Sequence, residues 1–61
     1  MKVVYDGLLI NEGHDVLFQV DDDSVLVTET YNGNELTPTR LGINSAIDKQ
    51  QKLIDLGYCW I

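Results

Sequence analysis

Hydrophobic residues occur along the chain in short runs separated by turn residues, first with the alternation of strands and later with the period of a helix. The runs at residues 2–10, 15–20 and 25–31 predict three β-strands, because side chains two positions apart share one face of a strand. Residues 34–37 predict a short fourth strand. Pro38 places that strand at an edge, or ends it there, since proline donates no hydrogen bond to a ladder.

The residues between these runs favour antiparallel hairpins. Asn32-Gly33 is the clearest signal and fits a two-residue type I′ turn. Residues 11–13 suit a three-residue hairpin loop that ends in a glycine of positive φ. Gly7 interrupts the first strand, where we expect a bulge rather than a hairpin with very short arms.

A single helix is predicted over residues 45–56, because apolar residues return there at a period of about 3.6 while charged residues occupy the opposite side. Asn44 is the expected N-cap, and Gly57 stands where a left-handed residue commonly ends a helix. Residues 58–61 are too apolar to be fully solvated. We expect them to form a short last strand or a tail packed on the core.

The order of these elements predicts an α+β domain in which a small antiparallel sheet of three to four strands is followed by one C-terminal helix packed on its face. A small, highly curved barrel with an appended helix is the alternative. Residues 1–61 are expected to be a single domain with one thin core, since 61 residues bury little surface. Phe18, Tyr31 and Trp60 are expected in that core.

Cysteine content and hydropathy bear on the compartment. The single cysteine has no disulfide partner in the chain, which favours a reducing environment. No run approaches the roughly 18 apolar residues of a membrane span. The start of the chain lacks the apolar core of a signal peptide. We therefore expect a complete, unprocessed cytoplasmic protein.

The net charge of −6 is distributed unevenly. Residues 1–35 hold eight acids and one base, whereas residues 36–61 hold two acids and three bases. Nucleic acid and anionic membranes bind cationic surfaces, so neither is expected as a direct partner. A basic protein surface would be attracted to the acidic half. The acids alternatively do no more than keep a small protein soluble.

Few residues are candidates for chemistry. His14 lacks the partner that a general base needs, because the adjacent Asp15 would point to the other face of a strand. We expect His14 to be an exposed loop residue. Cys59 lies between two aromatic residues and is expected to be an inert thiol in the core or at its rim. The three consecutive aspartates at residues 21–23 lack the spacing of a calcium loop.

Patterns of enzymes are also missing from the sequence. No phosphate-binding loop, nucleophile elbow or zinc-ligand cluster occurs in it. A chain of this length is not expected to enclose a pocket of several hundred Å³. The sequence therefore predicts a protein that is not an enzyme and that holds no cofactor and no metal.

The first functional hypothesis is a small acidic binding protein that inhibits or modulates a basic, nucleic-acid-handling protein. Its general type is the nucleic-acid mimic of phages and mobile elements. DNA carries one charge per about 1.7 Å of axis, which is compatible with carboxylates along strands that rise about 3.3 Å per residue. The protein-binding residues of this hypothesis are Asp15, Asp21, Asp22, Asp23, Glu29 and Glu35.

The second hypothesis is a structural or assembly protein that forms a homodimer or a larger homo-oligomer. Tyr31, Tyr58 and Trp60 would form the contact together with an open sheet edge. Unblocked edge strands pair readily, and small domains gain burial by associating. The two hypotheses differ in salt dependence, because only the first relies on exposed charges that salt screens.

Overall fold

The computed structural model describes residues 3–61, which form one antiparallel sheet of six strands and one helix. The elements are β1 (Gly7–Asn11), β2 (His14–Val20), β3 (Ser24–Tyr31), β4 (Asn34–Glu35), β5 (Thr39–Gly42), α1 (Ile43–Asp55) and β6 (Cys59–Trp60). The α+β class, with an antiparallel sheet followed by one helix, is confirmed. The predicted number of three to four strands is wrong, because β5 and β6 add to the sheet.

The strands lie in the order β4-β3-β2-β1-β6, and β5 also pairs with β3. β4 and β5 follow one another along the same edge of β3, where Glu35 is opposite Thr30 and Thr39 is opposite Val27. Residues 36–38 interrupt this edge, so β4 is shorter than the predicted strand over residues 34–37, although its place at an edge agrees with the expectation from Pro38. Within residues 3–61 the two outer edges do not pair with each other, so the sheet is open and is not the alternative barrel.

Two tight turns lie at the same end of the sheet. Asn32 and Gly33 have φ values of 50° and 84°, as the predicted type I′ turn requires. Glu12 and Gly13 have φ values of 41° and 82°, so they form a second turn of this kind rather than the predicted three-residue loop. The Asn32 N–H donates to the Gly13 carbonyl at 2.7 Å, which joins the two turns.

β1 begins later than the predicted strand over residues 2–10, of which residue 2 lies outside the described residues. Gly7 is directly opposite Phe18 with no extra residue in either strand, so the bulge predicted at Gly7 is wrong. Instead, the absence of a side chain at Gly7 lets the indole of Trp60 pack closely against the backbone. A Cβ at this position would lie 3.3 Å from two ring carbons of Trp60.

Residues 3–6 precede β1 and are held by side chains from other elements. The Asp6 carboxylate accepts a hydrogen bond from the Val20 N–H at 2.9 Å. The Gln50 side chain, which projects from α1, bonds to both backbone groups of Tyr5. The start of the described chain is therefore fastened to β2 and to the helix without forming a strand.

The core lies between the sheet and α1. Its buried hydrophobic members are Leu9, Val16, Phe18, Val25, Val27, Ala46 and Leu53. Phe18 is fully buried, as predicted, and Trp60 packs half-buried against this cluster. The prediction for Tyr31 is wrong, because its side chain is 55% exposed. Tyr31 lies in the last row of the sheet, opposite His14, where the core has already ended.

α1 begins at Ile43, earlier than the predicted start at residue 45. Gly42 rather than Asn44 is the N-cap, and it makes no side-chain hydrogen bond. The reason is that β5 runs directly into the helix and leaves no loop for a polar cap. Within residues 3–61 no helix is long and apolar enough to cross a membrane.

The end of α1 agrees with the prediction. Gly57 has a φ of 102°, and its N–H and that of Tyr58 each donate to a carbonyl of the last helical turn at 3.0 Å. The chain then turns into β6, which pairs with β1. The Ile61 N–H continues this pairing by donating to the Leu8 carbonyl at 2.9 Å. Of the two alternatives for residues 58–61, the short strand is correct.

Candidate functional site

The sheet has one face under α1 and one face without a helix, which we call the helix-free face. In an antiparallel sheet with one solvated face, the outer positions are ordinarily polar. Here four outer positions of β1, β2 and β3 are aliphatic and half-buried, and two of them, Leu8 and Leu17, are directly opposite each other. These aliphatic residues of the helix-free face are Leu8, Ile10, Leu17 and Leu26.

Carboxylates frame the helix-free face at both ends. Asp15 and Glu35 stand in one cross-strand row near one end, with Thr30 between them. The three aspartates of residues 21–23 form the turn at the other end, between β2 and β3. The separation of Asp15 from this turn along β2 is about 20 Å at a rise of about 3.3 Å per residue. The acids thus form two groups with an aliphatic centre between them.

The turn of residues 21–23 is ordered and exposed. The Asp21 N–H donates to the Ser24 carbonyl at 2.8 Å, and the Asp22 N–H donates to the Asp21 carboxylate at 2.9 Å. Arg40 donates to the Ser24 hydroxyl at 2.7 Å and lies 3.7 Å from the Asp21 carboxylate. Both members of this ion pair are more than half exposed, so the pair contributes little to stability. The side chains of Asp22 and Asp23 project into solvent.

Glu29 does not lie on the helix-free face with the other predicted binding residues. It lies in phase with Val25 and Val27 and therefore faces α1. Its Oε1 accepts from His14 at 2.9 Å, and its Oε2 lies 3.7 Å from the Lys49 ammonium. The structure therefore brings five of the six predicted binding residues to the ends of the helix-free face and separates Glu29 from them.

A polar group that the sequence did not predict surrounds His14. We call it the His14 cluster, and it consists of His14, Glu29, Lys49 and Tyr58. The Glu29 carboxylate only accepts, so His14 Nε2 carries a proton and donates to it, and Nδ1 shares a hydrogen bond with the Tyr58 hydroxyl at 2.5 Å. The Tyr31 ring lies beside the imidazole with its centroid 5.6 Å away.

The exposed loop position predicted for His14 is wrong. His14 begins β2, and only 17% of its side chain is exposed. The two-residue period could have indicated this, because His14 is in phase with the buried residues Val16 and Phe18. Its contact with Tyr58 had no local signal, since 44 positions separate the two residues. The His14 cluster joins β2, β3, α1 and the segment before β6, and we assign it a structural role.

Cys59 is exposed, which contradicts the predicted place in the core or at its rim. In β6 Trp60 is opposite Leu9 and points toward the core, so the neighbouring Cys59 points to the helix-free face beside Ile10. Its sulfur lies 3.8 Å from the Gly57 carbonyl. Across residues 3–61 no group of three or more His, Cys, Asp or Glu side chains is placed to hold a metal ion.

An open groove lies between residues 5–7 and the last two residues of the chain, Trp60 and Ile61. It has a volume of about 410 Å³ and is lined by Tyr5, Asp6, Gly7, Trp60 and Ile61. The rings of Tyr5 and Trp60 meet edge to face, with centroids 5.8 Å apart and planes at 66°. The groove is open to solvent, so it does not contradict the expectation that a chain of this length encloses no pocket of several hundred Å³. Its two aromatic walls come from opposite ends of the sequence, so no local pattern predicts it.

Comparisons with known proteins give no guide to function, because no family model, no curated protein and no solved structure matches the chain. The helix-free face is therefore the feature of the molecule from which a function can be inferred.

Proposed function

We propose that this chain is a non-enzymatic binding protein that takes a basic partner protein on its helix-free face and acts as an inhibitor or modulator of that partner. One observation carries the proposal: four outer positions of β1 to β3 are aliphatic on a face that no helix covers, and carboxylates lie at both ends of that face. An apolar centre with a polar rim is the usual anatomy of a protein interface.

The distribution of charge supports a basic partner. Residues 3–42, which include β1 to β5, hold eight acids and a single base, Arg40. Arg40 is already engaged with Ser24 and Asp21. The field of this half of the molecule would accelerate the approach of a cationic surface and disfavour an anionic one.

A nucleic-acid-handling protein is the class of partner that we favour, because such proteins present cationic surfaces to solvent. The carboxylates form two groups about 20 Å apart at a strand rise of about 3.3 Å per residue, and not a continuous row. The proposed contact therefore combines charge at its two ends with apolar burial at its centre. Leu17, at the middle of β2, lies at that centre.

The test is capture of partners from a bacterial lysate with four forms of the protein. One variant carries Asp21→Asn, Asp22→Asn and Asp23→Asn, and a second carries Leu17→Gln. The matched control replaces three acids elsewhere, by Glu12→Gln, Asp48→Asn and Asp55→Asn, and so has the same net charge as the first variant. Each form is washed at about 0.05 M and about 0.5 M salt, which differ strongly in screening length.

We expect the original protein and the control to retain a basic protein at low salt and to lose it at high salt. Both site variants should fail to retain it, and the captured protein should bind nucleic acid less well when the original protein is added. Retention that is indifferent to salt and to the three aspartates would refute the proposal.

Self-assembly is a second candidate, which a different observation favours. Within residues 3–61 no strand pairs with the outer edge of β6, and Ile61 beside it is 78% exposed. Tyr31 is also exposed, whereas Tyr58 is engaged by His14. Sedimentation at high protein concentration tests this candidate. A dimer that persists at high salt would support it, and a monomer at every concentration would exclude it.

A further inference from the structure

We infer that Asn32 is a site of spontaneous covalent modification, at which the protein reacts with water and loses the side-chain amide as ammonia. The site consists of Asn32 and Gly33, the two residues of the tight turn between β3 and β4. The reaction needs no partner protein and is independent of the role proposed for the helix-free face. It needs an unhindered attacking nitrogen, an accessible carboxamide and a turn that can open.

The Gly33 amide nitrogen is the attacking group. Glycine places no side chain beside this nitrogen, and a Cβ at Gly33 would meet nothing within 4 Å, so the turn is open to solvent on this side. Within residues 3–61 the Gly33 N–H donates no hydrogen bond. Asn32, which carries the carboxamide under attack, is exposed. Both reacting groups are therefore accessible.

The reaction has two steps. The Gly33 nitrogen attacks Cγ of Asn32, so that a C–N bond forms, the bond from Cγ to Nδ2 breaks, and ammonia leaves with the former Gly33 proton. Water then opens the cyclic imide at one of its two carbonyls. Opening at the side-chain carbonyl yields aspartate, whereas opening at the main-chain carbonyl yields iso-aspartate. In either case the new carboxylic acid releases a proton to solvent, and water is the one reactant consumed.

The turn must open before the ring can close. The Gly33 nitrogen has to rotate toward the side chain of the preceding residue, and this rotation breaks the pairing of Tyr31 with Asn34 that the turn maintains. β4 is weakly held, because it is two residues long, exposed and at a sheet edge. One further bond, from the Leu36 N–H to the Glu29 carbonyl at 2.8 Å, continues the pairing. Such elements open at low cost without global unfolding.

Iso-aspartate would change the structure at this point. It lengthens the main chain by one carbon atom inside the turn, and the length of a hairpin turn sets the register of the strands that it joins. The Asn32 N–H donates to the Gly13 carbonyl at 2.7 Å from the same turn. The modification should therefore detach β4 and separate the two turns, while the core under α1 stays intact.

The chain supplies internal controls, because its other asparagines precede residues that have side chains. These pairs are Asn11-Glu12, Asn34-Glu35 and Asn44-Ser45. The folded protein is incubated in mildly alkaline buffer, and peptide mapping by mass spectrometry follows each asparagine over time. We expect Asn32 to be converted about tenfold faster than the others, because glycine alone leaves the attacking nitrogen unhindered and free to rotate. Chromatography should resolve iso-aspartate among its products.

Variants separate the chemistry from the opening of the turn. Gly33→Ala strains the turn at a φ of 84° but places a side chain beside the attacking nitrogen, so it should slow conversion although it loosens β4. Leu36→Pro removes the N–H that bonds to Glu29 and should accelerate conversion about two- to tenfold, the effect of one lost hydrogen bond on opening. Leu36→Ala is the matched control, because it keeps this N–H and should leave the rate unchanged.

Conversion of Asn32 no faster than that of the other asparagines would overturn the inference. So would an unchanged rate in Gly33→Ala, because the attack would then not come from the Gly33 nitrogen. Aspartate as the sole product would also overturn it, since direct hydrolysis of the amide forms no iso-aspartate. Equal rates for Leu36→Pro and Leu36→Ala would refute control by the opening of β4. In the modified protein, amide exchange should become faster at Leu36 and stay slow at Phe18.

Discussion

Gln50 of α1 bonds through one side-chain amide to both backbone groups of Tyr5. Its Oε1 accepts from the Tyr5 N–H at 3.1 Å, and its Nε2 donates to the Tyr5 carbonyl at 2.7 Å. The Gln50 residue is 3% exposed, and it is the one buried polar residue among those described. The amide thus supplies the Tyr5 backbone with the two hydrogen bonds that a neighbouring strand would otherwise make. It also holds Tyr5 in the wall of the groove.

Replacement of this amide should release the start of the chain. Gln50→Leu removes both hydrogen bonds, and we expect the free energy of unfolding to fall by about 1–3 kcal/mol. Gln51→Leu is the matched control, because Gln51 is exposed and bonds to Asp55 on the same helix. Urea unfolding and amide exchange at Tyr5 measure the effect. Equal losses of unfolding free energy for the two variants would show that the hydrogen bonds between Gln50 and Tyr5 stabilise the fold no more than the exposed bond between Gln51 and Asp55.

Phe18 is the largest fully buried side chain of the core. Phe18→Ala should lower the free energy of unfolding by about 3–5 kcal/mol, which is enough to unfold a large part of a domain this small. Val20→Ala on the same strand should change it by well under that amount, since Val20 is 37% exposed. Circular dichroism during urea titration distinguishes them. A mild effect at Phe18 would contradict the register of β2 against β1 and β3.

The hydroxyl of Tyr58 forms a hydrogen bond with His14 Nδ1 and so connects the segment before β6 to β2. Tyr58→Phe removes this hydrogen bond, and we expect a loss of about 0.5–1.5 kcal/mol of unfolding free energy. Tyr31→Phe is the control, because the exposed Tyr31 contacts His14 through its ring. Thermal unfolding of both variants tests the prediction. An effect of Tyr31→Phe as large as that of Tyr58→Phe would contradict it.

The two type I′ turns allow a clash to be separated from backbone strain. Gly13 and Gly33 have nearly the same positive φ, 82° and 84°. A Cβ on Gly13 would lie 2.6 Å from the Asn32 side-chain oxygen, whereas a Cβ on Gly33 would meet nothing within 4 Å. Both alanine substitutions should destabilise by about 1 kcal/mol or more because of the positive φ.

Gly13→Ala should be the more damaging of the two, because the Asn32 side chain must also move. Chemical denaturation of the two variants in parallel gives the difference directly. The same loss at both positions would mean that the Asn32 amide rotates away freely and that the two turns are not coupled through it.

Local patterns in the sequence predicted β2, β3, the Asn32-Gly33 turn and the end of α1 at Gly57. Each of these depends on neighbours within a few positions, either on alternation or on a residue with positive φ. β5 was not predicted, because it is four residues long and only Leu41 among them is half-buried. A strand that short at a sheet edge has no alternating pattern to detect.

The features that matter for binding depend on contacts between distant positions. The pairing of β6 with β1 turns Trp60 inward and Cys59 outward, and nothing within residues 58–61 specifies that choice. The same pairing forms the groove. The acids at both ends of the sheet were identified from composition, but the assignment of Glu29 to the other face required the register of β3.

The pairing of Trp60 with Leu9 also has a consequence for the order in which the molecule assembles. β1 to β4 are joined by turns of two or three residues, so these hairpins close small loops that form quickly. The pairing of β6 with β1 must instead close most of the chain, and such remote contacts slow folding. During synthesis the early strands can meet long before β6 is made. We therefore expect the groove lined by Tyr5 and Trp60 to form after the early hairpins, and a nascent chain that lacks β6 cannot display it.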